Sequence, residues 1–195
     1  MKSKVLGALM FSLAMAGPVM ASQPYVQGSL GGVFGSIEGG SAGFRVGAVK
    51  YALDASVGYD RISGNLYSDK VQSDSIDLHV LSAEVYRIFK VSALDFKLGG
   101  GIAFMSPQMS SIEKADDDAG FIAGGSVDYK ISRNVSLGLK VRGNFFNTDV
   151  HRTDFLIEKE TLSAGQEVET VTPVYKTDSV NLNNISSIFS LTLWF

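Results

Sequence analysis

Cysteine is absent from the 195-residue chain, and proline occurs only four times. A chain without cysteine forms no disulfide bonds, so an exported form must be stabilised by burial and by hydrogen bonding. Beyond the amino-terminal segment no apolar stretch approaches about 18 residues, which argues against a helical membrane protein. Lysine and arginine form no cluster and the formal net charge is −3, so a nucleic-acid partner is not expected.

The first 21 residues have the pattern of a secretory signal peptide. Lys2 and Lys4 precede an apolar run, and a Gly-Pro break is followed by a small residue at Ala21. The run is too short for a membrane-spanning helix, and an ordinary first helix is the alternative. We therefore expect residues 1–21 to be removed and residues 22–195 to form a single domain.

The last twelve residues alternate between two chemistries. One parity carries the apolar residues Ile185, Phe189, Leu191, Leu193 and Phe195, and the other is mostly polar. Successive side chains of a strand point to opposite sides. Twelve tilted residues rise about 30 Å, which is enough to cross the roughly 25 Å apolar band of an outer-membrane barrel. The pattern predicts a closing transmembrane strand.

Seven earlier segments show the same alternation, separated by turn residues. They are Pro24–Phe34, Gly43–Val49, Ala52–Asp60, Ile76–Phe89, Asp95–Met105, Gly120–Lys130 and Asn134–Phe146. Such a series is typical of a membrane barrel. The sequence therefore predicts an all-β fold, an eight-stranded antiparallel up-and-down transmembrane β-barrel. A soluble lipocalin-like barrel, with its apolar faces inside, is the alternative fold.

Two finer expectations follow from this assignment. In the fourth segment the apolar residues assigned outward change parity between Val80 and Leu81, so either a β-bulge lies near these residues or the register assigned to the segment is wrong. Aromatic residues near strand ends are expected to form girdles at the two membrane interfaces. These residues are Tyr25, Tyr59, Tyr86, Tyr129, Trp194 and Phe195.

Together the signal peptide, the eight segments, Gly-Tyr-Asp at 58–60, Val-Tyr-Arg at 85–87 and the final Leu-Thr-Leu-Trp-Phe resemble a known family. It is that of the small outer-membrane barrels: the membrane domain of outer-membrane protein A, outer-membrane protein X and the attachment-invasion adhesins. The resemblance covers residues 22–195 and implies a monomer in the cell outer membrane of a Gram-negative bacterium. Its implied partners are outer-membrane lipid, lipopolysaccharide and the barrel-assembly machinery, whose signal would map onto Phe189, Leu191, Leu193 and Phe195.

The interior of an eight-stranded barrel is just wide enough to be filled by side chains. By parity, the charged residues expected inside are Arg45, Lys97, Lys140 and Arg142 against Asp54, Asp77, Glu84 and Asp128. Because an uncompensated charge there costs several kcal/mol, we expect these residues to pair in a plug. A gated polar pore is the alternative.

Few residues could support catalysis or metal binding. His79 and His151 are the only histidines. A lipid-modifying enzyme would need His79 with Ser82 or Asp77, or His151 with Asp154, and neither spacing matches a motif of such enzymes. The run Asp116–Asp118 is either a divalent-cation site or a solvated acidic loop. We therefore assign no catalytic, cofactor or metal site.

The longest connection, 147–182, suggests a surface role. Asp154–Thr161 and Glu167–Thr172 are rich in strand-forming residues and flank Ser163–Gln166, which predicts a hairpin above the membrane. Phe155, Ile157, Val168 and Val171 are its expected contacts with an extracellular host or surface ligand. A passive loop is the alternative. The sequence favours a non-enzymatic structural or adhesin-like protein, with a small porin-like pore or a lipid-modifying enzyme as alternatives.

Overall fold

A computed structural model describes residues 23–68, 71–109, 114–161 and 167–195, so the predicted signal peptide lies outside the described part. The described residues form strands β1 (Pro24–Gly35), β2 (Ile37–Lys50), β3 (Leu53–Ser68), β4 (Val71–Val91), β5 (Leu94–Met109), β6 (Lys114–Ala115), β7 (Asp118–Lys130), β8 (Val135–Phe145), β9 (Asn147–Thr161), β10 (Glu167–Asn181) and β11 (Asn184–Trp194). Among these residues no helix is long and apolar enough to span a bilayer.

Eight of the strands close into a barrel in the order β1-β2-β3-β4-β5-β7-β8-β11. Each pairs antiparallel with its neighbours, and β11 returns to β1 with Tyr25 opposite Trp194 and Gly35 opposite Asn184. Closure leaves no barrel edge whose backbone groups would face lipid without hydrogen bonds. The predicted fold class is confirmed.

The two ends of the barrel differ. Tight turns occupy one end, where Tyr51, Ala52 and Ser92 adopt positive φ angles of 49°, 62° and 57°. At the other end β3 continues to Ser68 and β4 begins at Val71. Most of the stretch between the predicted segments Ala52–Asp60 and Ile76–Phe89 is therefore strand. Short turns face the periplasm in outer-membrane barrels and longer connections face the exterior. We refer to these two ends as the turn end and the hairpin end.

A second sheet lies at the hairpin end. The pairing of β9 with β10 begins with Asn147 opposite Asn181 and ends with Thr161 opposite Glu167. The short strand β6 pairs with the other edge of β9. Because β9 follows β8 and β10 precedes β11, this sheet rises from the barrel as an extension of the β8–β11 pair. The predicted hairpin is confirmed and starts earlier in the chain than expected.

The outer surface of the barrel changes chemistry along its axis. On β3, outward positions from Leu53 to Tyr59 are apolar, whereas those from Arg61 to Asn65 are polar. The inward positions change in the opposite sense, because Asp54 and Ser56 give way to fully buried Ile62 and Leu66. The barrel is therefore built for lipid outside near the turn end and for water outside near the hairpin end.

This inversion explains the parity change on β4. Ile76, Leu78 and Val80 point inward and are almost completely buried, and the same parity continues to Ser82 and Glu84. Pairing of β4 with β3 and β5 runs without interruption across Val80 and Leu81. The predicted bulge is wrong: the apolar residues change side because the medium outside the barrel changes, while the strand stays regular.

An aromatic girdle marks the level of this change. It consists of outward-facing Phe34, Phe44, Tyr59, Phe104, Phe121 and Phe145. Tyr129 and Phe195 are exposed toward the turn end, in agreement with the expected second girdle. The girdle positions predicted for Tyr25, Tyr86 and Trp194 are wrong, because these side chains have inward parity and are buried in the lumen.

The closing strand, β11, offers a direct test of which side chains point outward into the lipid. Phe189 points into the lipid at about mid-depth, with 61% of its surface exposed. Replacing Phe189 with Arg should lower the free energy of unfolding by about 2–4 kcal/mol, since the charge enters the bilayer midplane. Reversible denaturant unfolding in lipid vesicles measures the change. Phe189→Leu controls for lost aromatic contacts, and Tyr175→Arg, beyond the membrane, should have little effect; equal losses for both arginine variants would contradict the assignment.

Candidate functional site

The barrel lumen contains two layers of side chains. The layer nearer the turn end contains eight buried charged residues that form two clusters: Arg45, Asp54, Asp60, Glu84, Lys97, Asp128, Lys140 and Arg142. A ninth, Asp95, is buried closer to the turns. The layer nearer the hairpin end is an apolar cluster, formed by Val33, Ile37, Ile62, Leu66, Ile76, Leu78, Val80, Ala103, Met105, Ile122, Phe146, Val150, Val180 and Leu182. A solute crossing the barrel would have to displace both layers.

Glu84 is the centre of the larger charge cluster. Its carboxylate binds Arg45 Nη2 at 2.9 Å, Lys140 Nζ at 2.6 Å and Arg142 Nη1 at 3.3 Å. The hydroxyls of Ser82 and Tyr86 also donate to it. Asp60 supplies the second carboxylate, 3.2 Å from Arg45 and 2.7 Å from Arg142. This cluster thus holds three cations and two carboxylates.

Lys97 is the centre of the smaller cluster. Its ammonium lies 2.6 Å from Asp54 and 2.8 Å from Asp128. The hydroxyl of Tyr25 donates to Asp54 at 2.7 Å, and the ammonium lies 5.8 Å from the centroid of the Trp194 ring. One cation here faces two carboxylates, so the excess charges of the two clusters are opposite and cancel across the lumen.

Little space remains between the clusters. A cavity of about 20 Å³ is bordered by residues of both, including Tyr25, Arg45, Asp54, Lys97 and Lys140. That volume holds about one water molecule. The cavity is therefore too small for an organic ligand, and the polar layer is a packed core.

Small residues on neighbouring strands make room for the charged side chains. Gly58 lies opposite Arg45 and Gly43 lies opposite Asp60 in the β2–β3 register. A Cβ at Gly58 would come within 2.6 Å of Arg45 Nε. The same arrangement recurs where Gly138 lies opposite Asp128. Inward glycines thus set the directions that the ion-pairing side chains can take.

Sequence reasoning missed Asp60 and misplaced Asp77. Asp60 has the inward parity of Asp54 and Ser56, which is the signal that could have found it. Asp77 lies on the outer surface above the girdle, where it binds Arg61 Nη2 at 2.8 Å and accepts a hydrogen bond from Ser63. The hydrogen bonds from Arg61 and then Ser63 hold the pKa of Asp77 below its ordinary value. The predicted inward position of Asp77 is wrong because it takes the neighbouring Ile76 and Leu78 as outward, whereas both are buried inside the barrel.

The structure separates His79 from its suggested catalytic partner. The His79 ring faces outward and its Nδ1 lies 2.6 Å from the Tyr59 hydroxyl. Ser82 points into the lumen and donates to Glu84 at 3.0 Å. The barrel wall therefore lies between His79 and Ser82, and Asp77 is already bound to Arg61.

His151 joins three segments of the outer sheet. Its Nε2 lies 3.1 Å from Asp116 and its Nδ1 lies 3.0 Å from the Thr177 hydroxyl. These contacts connect the segment after β6 to β9 and β10, and a further hydrogen bond from Thr148 to the Asp116 carbonyl supports them. His151 and Asp116 remain partly exposed to water, without the enclosure that preorganised catalytic sites use. We interpret this chain of hydrogen bonds as a structural connection.

The acidic run shows no arrangement suited to a metal. Asp116 is engaged with His151, and Asp118 accepts a hydrogen bond from the Ala119 amide at 2.7 Å. Within the described ranges no group of three or more His, Asp or Glu side chains could hold an ion.

On the β9–β10 hairpin, exposed apolar side chains lie on both faces: Leu156 of β9 on one, and Val171 and Tyr175 of β10 on the other. Val171 is 55% exposed and Tyr175 is 81% exposed. Of the predicted contact residues, the side chains of Phe155, Ile157 and Val168 lie outside the described part of the chain. In the β9–β10 register, position 157 is paired with 171 and position 160 with 168. Positions 157 and 171 therefore share one face of the hairpin, and position 168 is on the other.

The proposed assembly-signal residues share one environment. Phe189, Leu191, Leu193 and Phe195 all point outward and are exposed where lipid would lie. Their recognition by the barrel-assembly machinery stays a prediction.

The charge clusters predict an uneven response to mutation. Glu84→Gln should lower the free energy of unfolding by about 3–5 kcal/mol, because it leaves three buried cations with one carboxylate. Adding Arg142→Met should recover part of the loss through a coupling of about 0.5–3 kcal/mol. Denaturant titrations of the single and double variants give this coupling. Asp77→Asn, which alters only an exposed pair, is the control and should change stability little; strict additivity of Glu84→Gln and Arg142→Met would contradict the pairing.

No protein-family model and no curated protein matches the sequence. Solved structures do match. Neisserial surface protein A (NspA) is 16% identical with a TM-score of 0.61, over 87% of this chain and 96% of that one. The outer membrane protein OprG from Pseudomonas aeruginosa is 10% identical with a TM-score of 0.63, over 90% and 96% of the two chains. A major outer membrane protein from Thermus thermophilus is 13% identical with a TM-score of 0.55, over 90% and 100%. At these identities the likeness concerns the fold: this chain has the fold of the small outer-membrane β-barrels.

Proposed function

We propose that this chain is a closed, non-enzymatic barrel of the outer membrane that presents its β9–β10 hairpin to a partner outside the cell. The observation that carries the proposal is the filled lumen beneath an exposed hairpin. A barrel packed with paired charges and apolar side chains can serve as a rigid scaffold, and binding residues are commonly carried by the connections of such a scaffold.

The two layers support closure in different ways. Moving an ion through the charged layer would require breaking hydrogen-bonded pairs at Glu84 or Lys97. The apolar layer above it consists of aliphatic and aromatic side chains, and such constrictions exclude water. The buried polar side chains beside this layer, Asn144, Asn184 and Ser186, form a small hydrogen-bonded group. A pore would need both layers to rearrange, so the pore reading requires a large conformational change.

The hairpin is held firmly at its base. Phe146 and Leu182 are buried in the apolar layer, and the Phe146 amide donates to the Asn183 side chain at 3.0 Å. His151 and Thr148 fasten the hairpin to the segment after β6. A rigid base lowers the entropy that is lost when a partner binds.

Recognition is expected through side chains of the hairpin. The edge of β10 has no strand partner within the described residues, but Pro173 interrupts its series of backbone donors. Proline at a sheet edge hinders addition of a further strand. Tyr175 and Val171 instead offer an aromatic and an aliphatic contact on one face, and tyrosine is enriched among interface residues.

Closure predicts the electrical behaviour of the barrel. In planar bilayers the folded protein should show no steady conductance, because both lumen layers are packed. Removing side chains from the apolar layer alone, as in Phe146→Ala with Leu182→Ala, should still leave the charged layer closed. Steady open-channel current from the unmodified protein would refute the closed barrel.

Binding, where it is found, should depend on the hairpin. Val171→Ser with Tyr175→Ser should reduce adhesion of cells displaying the protein by roughly tenfold or more, as expected when hot-spot side chains are lost. Tyr67→Ser on the β3–β4 hairpin, also half exposed, is the matched control. Heat-modifiable migration on gels checks that each variant is folded. Adhesion that survives the double substitution, and also survives a Gly/Ser turn in place of residues 161–171, would place the contact elsewhere.

A further inference from the structure

The turn end carries a charge opposite to that of the whole chain. Its segments 49–53, 87–96 and 129–136 contain five basic residues and a single acidic one, whereas the chain has a net charge of −3. The acidic residue, Asp95, is buried and lies 3.3 Å from Lys130. The other four basic residues, Lys50, Arg87, Lys90 and Arg133, are here called the basic collar.

Among the described residues, the collar has no ion-pairing partner. None of its four side chains forms an ion pair with a carboxylate of the described residues. The nearest acids by register, Asp54 and Asp128, point into the lumen and bind Lys97. Lys50 instead lies 5.4 Å from the centroid of the Tyr51 ring. The collar therefore presents unneutralised positive charge at the membrane boundary.

The pairing of the strands aligns two of these cations with exposed leucines. Lys50 lies opposite Leu53, Leu53 opposite Arg87, and Arg87 opposite Leu98. All four have outward parity, and Leu98 is 66% exposed. Since neighbouring strands lie about 4.8 Å apart, the backbones of Lys50 and Arg87 are about 10 Å apart with Leu53 between them. Long basic side chains can bridge such a gap.

Apolar and aromatic neighbours fix the depth of this row. Leu53 and Leu98 are suited to acyl chains, while exposed Phe89 and Tyr51 lie where interfacial aromatics sit. Lys and Arg at this level lay their apolar stems along lipid and place their charged groups among the headgroups. A soluble acidic protein could pair with the cations but would not bury the leucines. A lipid can do both, because its headgroup contacts the cations and its acyl chains cover the leucines.

We propose that Lys50 and Arg87 bind the phosphate of an anionic glycerophospholipid in the periplasmic leaflet, with Lys90 and Arg133 adding to the attraction. Hydrogen bonds from the Arg87 guanidinium and the Lys50 ammonium to phosphate oxygens are charge-assisted and therefore strong. Anionic headgroups also attract basic residues through the surface potential of the leaflet. This site is at the opposite end from the hairpin and does not depend on its function.

The test is the lipid retained by the folded protein. The full mature chain is reconstituted in nanodiscs of phosphatidylcholine with a minority of phosphatidylglycerol, released into mild detergent, and the bound lipids are counted by native mass spectrometry. The unmodified protein should retain phosphatidylglycerol with roughly 30-fold preference over phosphatidylcholine, as two basic residues at an anionic surface predict. Lys50→Gln with Arg87→Gln should abolish the preference, and Lys50→Arg with Arg87→Lys should preserve it.

Arg61→Gln is the matched control, since Arg61 is also an outward arginine but lies above the girdle in a pair with Asp77. It should leave the preference unchanged. If the glutamine double variant does not fold, the salt dependence of the unmodified protein decides: raising the salt from about 0.05 to 0.5 M should weaken a preference based on charge. Equal retention of both lipids, a salt-independent preference, an equal loss in Arg61→Gln, or displacement of the lipid by a soluble acidic peptide would each overturn the proposal.

Discussion

Closure of eight strands is the constraint on which the rest of this structure depends. A barrel of this size has an interior that must be filled by its own side chains, and whatever is polar there must find a partner inside. Glu84 shows how this is met. It accepts from three cations that come from β2 and β8, and two further hydroxyls on β4 complete its hydrogen bonds. Strands that are distant in sequence are thereby held at one level of the lumen, and the inward glycines between them give the long side chains their room.

The closed barrel is surrounded by lipid over one part of its length and by water over the other. Below the aromatic girdle, lipid outside favours apolar residues outward and leaves polar residues for the lumen. Above it, water lies outside, and the apolar residues move inward to form a dry core, as in a soluble barrel. The lipocalin-like arrangement that the sequence suggested as an alternative therefore occurs, but only at the hairpin end. A consequence is that the hairpin rises from a rigid apolar core, with Phe146 and Leu182 buried at its base.

The two ends of the barrel are consequently suited to different partners. The hairpin end offers an aromatic and an aliphatic side chain on a firmly held sheet, which suits a macromolecule outside the cell. The turn end offers unpaired basic groups among exposed leucines, which suits the headgroups and acyl chains of a leaflet. Neither surface contributes to the packing of the lumen. Changes at either end can therefore alter binding while the barrel stays closed and folded.

The sequence alone determined the fold class, the eight barrel strands, the lipid-facing parity of the closing strand and the existence of the hairpin, because each follows from a two-residue period and local turn chemistry. Only the tertiary structure decided on which side of the wall several residues lie. The predicted side of Asp77 is wrong because periodicity reports that a residue alternates with its neighbours, but the side that faces lipid or water depends on height in the membrane. The predicted girdle position of Tyr86 is wrong because nearness to a strand end does not decide its side: Tyr86 shares the inward parity of Glu84. The ion-pairing partners of Asp60 also depend on the tertiary structure. Arg45 and Arg142 lie on other strands, and the register of the closed barrel brings these three residues together.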